Sequence, residues 1–334
     1  MSILTAGAVR PSSPTLISQM NMNAQGSTTN GWDIVFNMGL SQINASLRNQ
    51  YDTLKHATLY KNTIDAVTRT KVVEGVWAIK KFHMEYGYPL LTFSVNNDNT
   101  VKLQMPIEKG ALTSCIQTGS DPEKCDPPIS IAGKLLTAIV KLAKTQGTAQ
   151  VDGKNHNLLK VELDMSQGAF TVDNMEISDE EKVELNKAIK AYFVENPVTY
   201  LINQLDLTNI PVLDDMRPNG FLFKVLKTPS ETEMLQMFIQ TGNRALLNPT
   251  LTFLNGVSDP LPSGMETSLI IRSNLFFGKI LPQSMTKGAW SLEGRSDTDS
   301  AKASWADFTN APVSASGISL KDLTQISTYT SPRE

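Results

Sequence analysis

From Trp32 to Tyr51 the apolar residues Trp32, Phe36, Leu40, Ile43, Leu47 and Tyr51 recur at steps of four, four, three, four and four. That spacing follows one face of a 3.6-residue period and predicts a single long helix over residues 30–51. Asn30 is placed to cap it, with Asp33 as a weak capping-box partner. Asp33, Asn37, Ser41, Asn44 and Arg48 form a parallel polar stripe, and only Asp33 and Arg48 are charged in the run. A surface helix ordinarily carries charge on its outer face. The pattern therefore predicts a helix covered on most sides. It is either a plain core helix or one that a sheet wraps around, leaving apolar space beside it.

Residues 52–66 continue this helix or form a second helical piece. After Val67 the period changes to two. Val73, Gly75, Trp77 and Ile79 alternate with Val72, Glu74, Val76 and Ala78, and Val101, Leu103, Met105 and Ile107 alternate with Lys102, Gln104 and Pro106. Such alternation describes half-buried strands. Turns are expected at 86–89, 96–99 and 108–110, and further strands at 90–95, 158–165 and 169–177. The succession predicts an antiparallel meander. Residues 129–142 fit a strand better than a helix, since Pro127 and Pro128 precede them and Gly133 lies inside. Ser178 with Glu181 forms a capping box that opens a second helix, its buried stripe Leu185, Ala188, Ile189 and Tyr192. Residues 198–205 are expected to resume that helix after Pro197. Strands follow at 220–226, 233–241 and 268–271, then a short helix at 273–281 and polar strands within 287–307.

Composition narrows the function more than the fold. The chain has 334 residues, is 40% hydrophobic and 19% charged, and carries a formal net charge of −3. No electrostatic drive toward nucleic acid follows from that balance. No apolar run approaches the ~18 to 20 residues that a membrane-spanning helix needs. The first 29 residues, rich in Ser, Thr, Asn, Gln and Met, lack a basic stretch followed by an apolar one, so a Sec signal is not expected. They are expected to form a flexible arm. The remaining 30–334 are expected to form one elongated domain with a subdomain break near 206–218. A cytoplasmic location, or release by a route other than Sec, is the matching expectation. Cys115 and Cys125 flank a loop containing Gly and Pro. Their spacing suits a bridge that staples the loop, and equally two free thiols.

The search for catalytic chemistry returns little. His56, His83 and His156 are far apart in sequence and match no triad or metal spacing. No phosphate-binding GxxxxGK[ST] loop, GxSxG elbow or GxGxxG turn is present. Asp214-Asp215 reads as a turn and Asp179-Glu180-Glu181 as a helix start. Asp297 and Asp299 lack the rest of a calcium loop. No enzyme activity, metal or cofactor is expected.

Three stretches carry a resemblance. Gly31–Asn44, GWDIVFNMGLSQIN, resembles the opening of the family of the clostridial forty-seven-kilodalton protein, encoded beside botulinum neurotoxin in orf-X type gene clusters. The block from Glu74-Gly75-Val76-Trp77 through Met105-Pro106-Ile107 to Gly110 resembles the same family, as does Ser268–Met285, SLIIRSNLFFGKILPQSM. The resemblance touches most of the chain from Gly31 onward and leaves out the arm. The family is similar to tubular lipid-binding (TULIP) proteins. The resemblance thus implies an α+β fold in which a long helix is wrapped by a highly curved antiparallel β-sheet, with a second helix and additional strands. It implies a non-enzymatic protein that binds lipid, another hydrophobic ligand or a membrane surface. Trp32, Phe36, Leu40, Ile43, Leu47, Leu275 and Phe276 would line the site. By gene neighbourhood it implies an accessory role in a bacterial toxin system, with a related family protein or a toxin as partner. The same apolar residues could instead pack directly on the sheet, making the protein an interaction module with a filled tube.

Overall fold

In the computed structural model of the protein, the run from residue 30 to 51 changes type at Gly39. Its first part is a strand and only its second part a helix. The structure describes residues 10–21, 28–57, 61–93, 99–151, 154–206, 218–228, 230–242, 257, 259–272, 275–276, 291–295 and 305–309. In chain order the elements are α1 (Ser13–Asn21), β1 (Ile34–Gly39), α2 (Leu40–Lys55), β2 (Thr63–Val73), β3 (Val76–Tyr86), β4 (Leu90–Phe93) and β5 (Thr100–Thr118). Then come β6 (Lys124–Cys125), β7 (Ile129–Ser130), β8 (Leu135–Val151), β9 (Lys154–Asp164), a 3-10 turn at Met165–Gln167, β10 (Ala169–Val172), α3 (Asp179–Glu195) and β11 (Thr199–Asp206). The last are β12 (Pro218–Lys227), β13 (Glu233–Thr241), β14 (Thr267–Ile271), β15 (Ser291–Arg295) and β16 (Trp305–Thr309). They form two compact units, one of Met1–Leu40, Gln146–Leu159 and Leu205–Glu334, the other of Ser41–Thr145 and Lys160–Gln204.

The second unit is built on a strongly curled antiparallel sheet, strand order β11-β9-β8-β5-β3-β2, giving the TULIP-like α+β architecture. Its spine is β5, 19 residues long. Residues 100–106 of β5 pair with β8, and its later part pairs with β3, β6 and β7. The turn expected at 108–110 is thus continuous strand. Gly110 permits a close approach there: a Cβ would sit 2.8 Å from the His83 carbonyl oxygen and 2.8 Å from Ile131 Cγ1. Gly75, placed inside a strand by the alternation, instead turns the β2–β3 hairpin at φ +74, a conformation glycine adopts without steric cost.

Helix α2 buries Ile43, Leu47 and Tyr51. Its polar side chains anchor it to the sheet. The Asn44 amide donates to the Leu91 carbonyl (3.0 Å) and its oxygen accepts from the Leu91 N–H (2.7 Å). Gln50 makes the same two-way exchange with Leu201. The Tyr51 hydroxyl donates to the Tyr86 carbonyl at 2.9 Å. These bonds satisfy groups that the curved sheet leaves unpaired. Helix α2 stops at Lys55, and residues 63–66, read as helical, begin β2.

Helix α3 has the expected capping box, with Ser178 accepting from the Glu181 N–H and Glu181 accepting from the Ser178 N–H. Glu181, Leu185, Ile189 and Phe193 are its buried residues. Phe193 stacks on Phe170 (centroids 5.0 Å apart) and meets Tyr86 at 5.8 Å. Residues 199–206 do not resume the helix; they form β11. Thr199, Tyr200 and Ile202 suit a strand, and Tyr200 is fully buried.

The first unit contains an antiparallel four-stranded sheet ordered β12-β13-β1-β14. The expected strands 220–226, 233–241 and 268–271 are β12, β13 and β14. Within the expected arm, Ser13–Asn21 is helix α1, and Leu16 packs with Trp32, Val35, Phe238, Val257 and Ile270. Strands β15 and β16 pair with each other. Most of 273–281 and of 206–218 lies outside the described residues.

Candidate hydrophobic-ligand surface

Antiparallel register puts directly opposite residues on the same face. Across β14, β1, β13 and β12 one row therefore reads Leu269, Phe36, Met237, Phe223. The next row on that face is Ile271, Ile34, Ile239, Phe221, and on the other side lies Thr267, Met38, Leu235, Val225. Thr267 is the single polar residue in these three rows. Most of the grid is buried; Met237 and Phe221 are fully covered. Exposure rises toward β14. Phe36, Phe223 and Ile271 are half-buried, and Leu269 is 56% exposed.

The opposite face of the same sheet is mixed. One row, Ile270, Val35, Phe238, Leu222, meets α1 through Leu16 and Met20. Its neighbour, Ser268, Asn37, Gln236, Lys224, is polar. Asn37 is fully buried and donates to Ser268 Oγ at 2.9 Å, while Gln236 donates to Asn37 Oδ1 at 2.7 Å. On the far side of the Val35 row the buried Asp33 carboxylate accepts from Gln240 Nε2, from the Thr241 N–H (3.0 Å) and from Thr241 Oγ1 (3.2 Å). Asp33 thus fastens β1 to β13 and is not a helix-capping residue. These hydrogen bonds make burial of the polar row affordable and fix the register.

The residues expected to share one helix stripe are dispersed. Trp32 precedes β1 and packs against Phe238, ring centroids 5.8 Å apart. That is the α1 side of the sheet, whereas Phe36 lies on the apolar face. Leu40 opens α2 and is half-buried, and Ile43 and Leu47 are 1% and 0% exposed in the second unit. Leu275 is buried and Phe276 half-buried in a helical turn after β14. The other members of the apolar face were legible as alternating positions in Phe221–Val225, Leu235–Ile239 and Leu269–Ile271. Nothing in the sequence paired those segments with Phe36.

Cys115 and Cys125 lie opposite each other on β5 and β6 and are joined by a disulfide. Among the described residues, the one set of potential metal ligands with clustered donor atoms is Cys115, Glu123 and Cys125. Its two sulfurs are already bonded to each other. An open pocket of about 260 Å³ lies over β2, β3 and β5, lined by Asp65, Val67, Lys81, His83, Ala111 and Thr113 among others. His83 Nδ1 is 2.7 Å from Asp65 Oδ1 there, and both are exposed. His56 is exposed. The side chain of His156 and Asp214, Asp215, Asp297 and Asp299 lie outside the described residues. Among the described residues no helix is long and apolar enough to cross a membrane.

No family model and no curated protein matches the chain. Among solved structures it is similar to P47 from Clostridium botulinum A2, with a TM-score of 0.50 and 15% identity, over 85% of this chain and 62% of that one. That likeness shows a shared fold, with the protein to which Gly31–Asn44 led. This chain spans 62% of the length of P47. A lipopolysaccharide binding protein also matches, at 10% identity over 80% of this chain and 61% of that one. Its TM-score of 0.25 adds nothing to the fold assignment.

Proposed function

We propose that the protein binds a lipid or another hydrophobic ligand without catalysing a reaction, as an accessory component of a bacterial toxin system. The observation behind the binding role is the apolar grid, which becomes accessible at Phe36 on β1 and at Leu269 and Ile271 on β14. An acyl chain laid there gains about 0.8 kcal/mol per buried methylene, so ten supply roughly 8 kcal/mol before ordering costs. The resemblance to proteins encoded beside neurotoxin motivates the accessory role. Titration with a fluorescent fatty acid tests the binding. Saturable binding to the native protein, weakened in Leu269→Asp, supports it; no binding by folded protein rejects it.

A second reading has one observation in its favour. Ile43 and Leu47 are fully packed, which fits a module whose helix serves the core and whose surface meets a related protein or toxin. Pull-down with products of neighbouring genes separates the two readings: a stable complex that forms after lipid is stripped favours the second.

A further inference from the structure

Two turns form one end of the sheet in the second unit. The β2–β3 turn and the turn after β5 are joined by a hydrogen bond from the Gly119 N–H to the Gly75 carbonyl, 2.7 Å. A Cβ on either glycine would meet nothing within 4 Å. Aliphatic side chains gather here in the open: Val72, Val73 and Ile116 are 60%, 58% and 57% exposed. Val73 is opposite Val76, and Ile116 is opposite Ala78. Single exposed aliphatic residues need no explanation, but a cluster at neighbouring strand ends does.

Behind the aliphatic end lies an aromatic and cationic band. The Arg69 guanidinium sits 4.8 Å from the Trp77 ring centroid and donates to Gln117 Oε1 at 2.6 Å. Lys71 is opposite Trp77. Trp with a stacked Arg suits a membrane–water boundary, where the ring spans the apolar and the polar phase. The charges nearly balance. Lys71 pairs with Glu74 at 2.5 Å and Lys81 with Glu123 at 2.6 Å, and the further cations Arg69 and Lys124 are matched in number by the acids Asp121 and Asp126. An anionic surface is therefore not specially favoured. Glu74, at the apex, is exposed and cannot enter hydrocarbon cheaply, so it limits contact to the headgroup layer.

We infer that this end of the sheet, Val72, Val73 and Ile116 backed by Trp77 and Arg69, docks the protein reversibly on a neutral phospholipid surface. The inference rests on the lipid-binding reading and places membrane contact in the second unit, apart from the apolar face of the first. The test is flotation of the full chain with phosphatidylcholine vesicles, run beside titration with a soluble fluorescent fatty acid. The double variant V72D/V73D should float about tenfold less than native protein, as expected for replacing exposed aliphatic anchors by charge. Its fatty-acid titration and circular dichroism should be unchanged. E74Q should float several-fold better. Trp77 should be quenched by brominated lipid, and W77F should lose that signal. Undiminished flotation of V72D/V73D overturns the inference, as does binding that appears only with anionic lipid and vanishes in salt. Native protein that takes up fatty acid but ignores vesicles also overturns it and leaves lipid binding standing. Failure of native protein to bind fatty acid rejects the lipid reading itself. A protein captured through Val72 and Val73 in the absence of vesicle binding would mark the tip as a protein contact and overturn the membrane assignment.

Discussion

Phe36 on β1 stands directly opposite Leu269 on β14, on the face that also carries Met237 and Phe223. Leu269 is more than half exposed while Met237 is fully buried. One row thus runs from the covered interior of a sheet to its open edge. Leu269→Asp should weaken fatty-acid binding by about tenfold or more, because a charge replaces the apolar edge. Its own exposure should keep the stability change within about 0.5 kcal/mol, measured by urea denaturation.

Leu47 gives the contrasting result. It is fully buried on α2, so Leu47→Ala removes core packing and should cost about 3 kcal/mol. Affinity for a fatty acid should be unchanged in the folded fraction. A large affinity loss with little loss of stability would mean that α2 borders the ligand.

Asn37 is the test of the buried polar row. Asn37→Leu leaves Gln236 Nε2 and Ser268 Oγ without the partners they have now, at a cost of roughly 2–4 kcal/mol. Replacing Asn37 and Gln236 together by apolar residues should recover part of that loss, since the orphaned amide goes with them. A double-mutant cycle in urea measures both.

Glu181 should make the protein acid-sensitive. Burial pushes its carboxyl up, but the Ser178 N–H and Lys80 together outweigh burial and hold it below the ordinary 4.5. Glu181 therefore contributes stability that is complete above about pH 4.5 and is lost as the pH falls through its lowered value. Lys80→Met should reduce stability at pH 7 and flatten the loss below pH 4.5. Thermal melts from pH 7 to pH 3 read the difference.

The Cys115–Cys125 bridge closes a short loop, with a sequence separation of 10. Replacing both cysteines by serine should cost about 2–3 kcal/mol through the freed unfolded chain. Calorimetry of the variant and of reduced native protein should agree.

The fold was readable where pattern and local chemistry coincided. Ser178 and Glu181 announced α3, and alternation through Val101–Ile107 announced β5. The run 30–51 misled because steps of four satisfy two geometries. Residues four apart share a helix face, and they also share a strand face. Trp32, Phe36 and Leu40 therefore could not separate the two by themselves. The deciding sign was Ile34, Phe36 and Met38 at steps of two, with β-branched Ile34 and Val35 adjacent. The apolar face was hidden for another reason. Strand β1, residues 34–39, lies between β13 (233–241) and β14 (267–271), and pairing across such separations leaves no local signature.

The central claim is most directly tested by organic extraction of the purified native protein, followed by mass spectrometry of the extract. The account predicts a co-purifying or exchangeable lipid, present in native protein and in L47A but depleted in L269D. A folded native protein that carries no lipid and takes none from added vesicles or fatty acid would contradict it.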